Sequence, residues 1–96
     1  MEELKQVLNA LESENIYLDG YSRIRSQERW YHTWTLRSCE ESLLDEDFNR
    51  VPRLVDIELR ADTNELSFDW NEASGLSATA ISNIVKLANL LKEIYS

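Results

Sequence analysis

Hydrophobic and polar positions recur along this chain with two different periods, and the places where the period changes mark its elements. Residues 2–14 put Leu4, Val7, Leu8 and Leu11 at i, i+3, i+4 and i+7, the spacing of one helical face. Glu2 and Glu3 sit at the end of that helix where its dipole favours negative charge. Asn15 tolerates a left-handed backbone and stops the helix, and Ile16, Tyr17 and Leu18 open a stretch of period two.

Residues 16–25 read as a strand with Ile16, Leu18 and Ile24 on one side and Tyr17, Asp19, Tyr21, Arg23 and Arg25 on the other, diluted by Gly20 and Ser22. Residues 29–38 alternate more strongly, Trp30, His32, Trp34 and Leu36 against Arg29, Tyr31, Thr33, Thr35 and Arg37. A hairpin through Ser26, Gln27 and Glu28 that pairs Ile24 with Trp30 also brings Ser22 opposite His32, Leu18 opposite Leu36 and Ile16 opposite Ser38. A second hairpin spans 54–71. Val55, Ile57, Leu59 and Ala61 alternate with Asp56, Glu58, Arg60 and Asp62, and the phase inverts after Thr63-Asn64 to Leu66, Phe68 and Trp70. A loop centred on those two residues pairs Ala61 with Leu66, Leu59 with Phe68 and Ile57 with Trp70.

From Ser77, a good N-cap, the period returns to 3.6: Ile81, Ile84, Val85, Ala88, Leu91 and Tyr95, widened by Ala80, Leu87, Leu90 and Ile94. An apolar arc this wide exceeds what one sheet face covers. It predicts a further contact, either with the N-terminal helix or with a second copy in a homodimer through the C-terminal helix. The connection between Cys39 and Arg53 is longer than usual and acidic, with Glu40, Glu41, Asp45, Glu46 and Asp47; Ser38 and Glu41 have the spacing to cap a short helix there, ended by Pro52.

These pieces predict an α+β fold of one domain over residues 1–96: a two-layer sandwich in the order α-β-β-β-β-α. Its four-stranded antiparallel sheet packs the N- and C-terminal helices on one face and leaves the other open. The expected inward set includes Leu4, Val7, Leu8, Leu11, Ile16, Leu18, Ile24, Trp30, Trp34, Leu36, Val55, Ile57, Leu59, Leu66, Phe68, Trp70, Ile81, Ile84, Val85, Ala88 and Leu91.

Composition narrows the function. The chain is 43% hydrophobic with only 2 Gly and 1 Pro, which separates it from disordered and collagenous sequences. One cysteine cannot form an internal disulfide, and neither a secretory leader nor an apolar span is legible, so the expected location is the cytoplasm, with no membrane contact. The net charge of −8 opposes phosphate and anionic lipid, yet it is unevenly spread. Residues 20–39 carry 4 bases and 1 acid, whereas residues 40–72 carry 3 bases and 11 acids.

Catalytic chemistry finds little to use. His32, the one histidine, alternates with tryptophans and has only Ser22 as its expected neighbour, and Cys39 lies seven residues away along the strand on the opposite face. One Cys and one His cannot make a structural zinc site, the acidic run lacks calcium-loop spacing, and two glycines cannot form a phosphate loop. Glu58 and Asp69 are expected to face each other, which is a like-charge surface pair before it is an acid/base pair. No catalytic residue, metal site or cofactor is therefore expected.

The expectation that follows is a non-enzymatic, acidic protein-binding module, acting as a regulator, adaptor or inhibitor that engages a basic surface of a partner protein. Its acidic contact set is Glu40, Glu41, Asp45, Glu46, Asp47, Asp56, Glu58 and Asp69. An aromatic and cationic set, Tyr17, Tyr21, Arg23, Arg25, Arg29, Tyr31 and Arg37, is expected on the open face of the first hairpin. The alternative is nucleic-acid or nucleotide binding through that Arg/Tyr face.

Overall fold

The computed structural model describes residues 2–38, 53–70 and 76–95. The elements are α1 (Glu2–Glu12), β1 (Ile16–Ser26), β2 (Arg29–Ser38), β3 (Arg53–Arg60), β4 (Leu66–Trp70) and α2 (Ala78–Tyr95). The four strands form one antiparallel sheet in the order β1-β2-β3-β4, the expected α+β arrangement. The short helix expected in the acidic connection, and Cys39 with it, lies outside the described residues.

The local stop and start signals act as their chemistry demands. Asn15 ends the α1 turn with φ 62°. Ser77 caps α2, its Oγ accepting the amide of Ala80 at 3.0 Å while its hydroxyl donates to Glu14 Oε1 at 2.6 Å. That second bond ties the beginning of α2 to the end of α1. The two helices lie side by side, so α1 covers part of the wide apolar arc of α2. Ile81 and Val85, expected inside, stay exposed on the flank of α2, because the arc is broader than the sheet and α1 together can cover.

The core forms between the helices and one face of the sheet. Val55, Ile57 and Leu59 of β3 have no exposed surface and meet Leu36 and Trp34 of β2, Ile16 of β1, Val7 and Leu11 of α1, and Ile84, Leu87 and Ala88 of α2. β3 lies between β2 and β4, which pairs with it over Val55–Leu59, and its inward side chains are wholly buried, so its alternation reads clearly in the sequence.

Two expected registers are corrected. In the first hairpin Ile16↔Ser38 and Leu18↔Leu36 pair as expected, but a bulge between Leu18 and Gly20 inserts one residue, and from there the partners are Tyr21↔Trp34, Arg23↔His32, Ile24↔Tyr31 and Arg25↔Trp30. One extra residue reverses the faces of everything that follows. Ile24 therefore leaves the expected core for the open face, and Tyr21, Arg23 and Arg25 move from the open face to the helix side. The connection is a two-residue turn at Gln27 and Glu28, with φ 52° and 63°, the backbone of a type I′ hairpin.

In the second hairpin the partners are Leu59↔Leu66, Ile57↔Phe68 and Val55↔Trp70, two residues from the expected register and on the same faces. Its loop closes through Asn64 at φ 59°, with the Asn64 amide donating to Arg60 O at 2.8 Å and the Arg60 amide to Glu65 O at 3.0 Å. Glu58 consequently faces Ser67, and Asp69 faces Asp56, so the expected Glu58–Asp69 pair does not form.

Candidate functional site

Burial along the helix-side face of β2 falls off in one direction. Leu36 and Trp34 are buried, His32 is half-buried, and Trp30 is 43% exposed. The helix layer stops near Trp34, where the last turn of α2 sets Tyr95 edge-on to the indole at 5.2 Å between ring centroids. Beyond that point no described helix lies over the helix-side face of the first hairpin, and Trp30 is exposed.

Four rings close the end of the core. Tyr21 of β1 lies 5.4 Å from Trp34 and 5.7 Å from Tyr95, and His32 lies 5.1 Å from Tyr95 and 5.9 Å from Trp34. The Tyr21 hydroxyl and His32 Nδ1 are 2.7 Å apart, a hydrogen bond across the hairpin. His32 is thus engaged by a tyrosine rather than by the expected serine. Tyr21 is 47% exposed and Tyr95 42%, so the cluster has a buried side at Trp34 and a solvent side.

Next along the face come two guanidinium groups over one indole. The Arg23 Cζ lies 4.8 Å and the Arg25 Cζ 5.9 Å from the Trp30 ring centroid. Arg25 is directly opposite Trp30, and Arg23 reaches it from the neighbouring position opposite His32. Such contacts hold flexible arginines in place by roughly 0.5–1 kcal/mol at exposed sites and leave the N–H edges in solvent.

The expected aromatic and cationic set is divided between two faces. Tyr21, Arg23 and Arg25 join Trp30, His32 and Tyr95 on the helix side, whereas Tyr17, Arg29, Tyr31 and Arg37 belong to the open face. Arg37 is ion-paired to Asp19 at 2.7 Å. Arg60 is closed by Asp62, at 2.6 Å and 3.0 Å. The Arg60 hydrogen bonds hold the Asp62 carboxyl below its ordinary pKa, with a smaller pull from Arg29, and the same pair raises Arg60.

The acidic set assembles less well. Glu40, Glu41, Asp45, Glu46 and Asp47 lie outside the described residues. Asp56, expected as a contact, is buried at 5% exposure and accepts the Thr35 hydroxyl at 2.7 Å, because β3 is central and its open-face side chains are crowded by neighbouring strands. Glu58 is half-buried and takes a long 3.5 Å bond from Ser67; Asp69 is exposed on the edge strand.

Trp30, His32 and Tyr95 are the members the sequence did not assign to a surface. Their residue types, Trp and Tyr next to Arg, are a usable signal, but alternation marks a face without marking how far the covering helix reaches. Elsewhere, a groove of about 350 Å³ runs between α1 and α2 past Glu3, Val7, Asn83, Lys86 and Leu90. No group of three or more His, Cys, Asp and Glu side chains suited to a metal exists among the described residues, and no described helix is long and apolar enough to cross a membrane. Comparison with known proteins returned no match: no family model, no curated protein and no solved structure.

Proposed function

We propose that this chain is a non-enzymatic protein-binding module whose contact surface is the uncovered helix-side face of the first hairpin, centred on Trp30. The observation that carries the reading is the exposure of Tyr21, Trp30 and Tyr95 in one continuous patch, with Arg23 and Arg25 braced on Trp30. Trp, Tyr and Arg are the residues that dominate binding energies, since each offers large rigid area together with directional donors. Rings already packed on one another lose little conformational freedom when a partner covers them.

Among the described acidic positions Asp56 is buried and Glu58 is half-buried beside Ser67, which leaves Asp69 as the exposed one, so the described contact surface supports this patch. It also favours a protein over a nucleic acid. Bases stack on open ring faces, whereas the Tyr21 and His32 rings stack on each other at 5.9 Å and guanidinium groups lie over Trp30.

Affinity capture from native-host extract, followed by titration of the captured partner, tests the reading. Trp30→Ala and Tyr21→Ala are each expected to weaken binding by about tenfold or more, the cost of a central aromatic contact. Ile81→Ala, on the α2 flank, is expected to leave it unchanged. Equal affinity for wild type and Trp30→Ala overturns the proposal.

A further inference from the structure

Four arginines among the described residues fall into two pairs with different surroundings. Arg37 and Arg60 are neutralised inside the molecule by Asp19 and Asp62. Arg23 and Arg25 have no carboxylate partner among the described residues, although the chain carries 18 acids, and both are held over the same indole. Two like charges beside one ring repel each other, and that repulsion is relieved when an anion lies between their N–H edges. Stacking on Trp30 leaves those planar, multi-donor edges free, and a carboxylate matches a guanidinium fork with two parallel hydrogen bonds.

Resting on the protein-binding reading above, we infer that the partner offers a carboxylate-rich segment to Arg23 and Arg25, seated beside Trp30 and Tyr21. Charge complementarity selects this occupant. A second copy brings a net charge of −8 but must bring its own acidic surface within reach of the same hairpin. An acidic segment and a nucleic acid both meet the repulsion of the whole chain, but a nucleic acid carries a charge on every nucleotide, and its bases need open ring faces, whereas here guanidinium groups lie over Trp30 and Tyr21 stacks on His32.

The test is fluorescence anisotropy with a labelled Asp/Glu-rich peptide carrying one Phe, its Asn/Gln counterpart, and a single-stranded oligothymidylate. The acidic peptide is expected to bind, and to weaken by about tenfold when salt rises from roughly 20 to 200 mM, as screening of close charges requires. The amide counterpart is expected to bind at least about tenfold more weakly. Arg23→Gln/Arg25→Gln is expected to abolish the difference between the two peptides, Arg23→Lys/Arg25→Lys to restore it only in part, and Arg60→Gln to leave it intact; unchanged thermal melts establish that the variants fold.

Equal binding of the acidic and amide peptides, or an unaffected Arg23→Gln/Arg25→Gln variant, overturns the inference. If the captured partner then still requires Trp30, the protein-binding reading stands without it. Tighter binding of the oligothymidylate overturns both. Sedimentation that shows salt-sensitive self-association, abolished by Arg23→Gln/Arg25→Gln, makes the occupant a second copy and overturns the partner assignment alone.

Discussion

The two hairpins of this sheet share a topology and differ in almost everything else. The β3–β4 hairpin is built on strict alternation, puts Val55, Ile57 and Leu59 wholly into the core, turns through an asparagine that accepts a left-handed backbone, and closes Arg60 on Asp62. The β1–β2 hairpin carries a bulge, turns through Gln27 and Glu28 at positive φ, runs past the end of the helix layer, and leaves Arg23 and Arg25 without a carboxylate partner among the described residues. One hairpin satisfies its own chemistry. The other holds exposed rings, and two guanidinium groups with no carboxylate partner among the described residues, near a strained tip. That contrast is the physical reason to expect stability from the β3–β4 hairpin and to centre the proposed contact surface on the β1–β2 hairpin.

The largest expected effect tests that division directly. Ile57→Ala removes a fully buried side chain from the central strand and is expected to cost about 2–5 kcal/mol, a large part of the total stability of a domain this size. Trp30→Ala removes a larger side chain and is expected to cost only about 1 kcal/mol, because the ring is 43% exposed and its main contacts are with arginines. Urea unfolding of both variants measures the difference. Comparable losses would break the comparison.

The turn supplies the next effect. A type I′ turn needs φ above zero at both central residues, where side chains other than Gly and Asn cost roughly 1–2 kcal/mol. Gln27→Asn/Glu28→Gly is expected to raise stability by about 1–2 kcal/mol in thermal or urea denaturation, without altering the Trp30 surface. A loss of stability would mean that the Gln27 or Glu28 side chain makes a contact worth more than the backbone strain.

The same contrast governs how much could be seen in the sequence. Both helices, the Asn15 stop, the Ser77 cap and all four strands are legible because each follows from local period and local chemistry. Register is different. It depends on where a strand bulges and which residues turn, and each of those is one residue's decision with consequences for a whole face. The residue types of the site were legible too, since Tyr21, Arg23 and Arg25 stand out on any reading. Their companions were not, because Trp30, His32 and Tyr95 sit on the face that alternation assigns to the core. What separates them from the core is a tertiary contact, Tyr95 of α2 against Trp34, beyond which burial along β2 falls off among the described residues.

The smallest effect isolates the bulge itself. Asp19 is the residue in excess, since Leu18 pairs with Leu36 and Gly20 with the adjacent Thr35. A chain lacking Asp19 joins Leu18 directly to Gly20 and keeps every other partner, so Tyr21 stays opposite Trp34 and Arg25 opposite Trp30. Gly20 offers no obstacle, because a Cβ there would meet nothing within 4 Å. The deletion loses the Asp19–Arg37 ion pair, worth about 0–1 kcal/mol at an exposed site, and gains a regular ladder. Stability is expected to change by no more than about 1 kcal/mol, and cross-strand nuclear Overhauser contacts between Tyr21 and Trp34 are expected to persist. If those contacts vanish and Ile24 turns inward, the bulge is what holds the aromatic and cationic surface on the helix side. If they persist, the tip turn and the four-ring cluster hold it there, and the bulge only takes up the residue that makes simple alternation misread the strand.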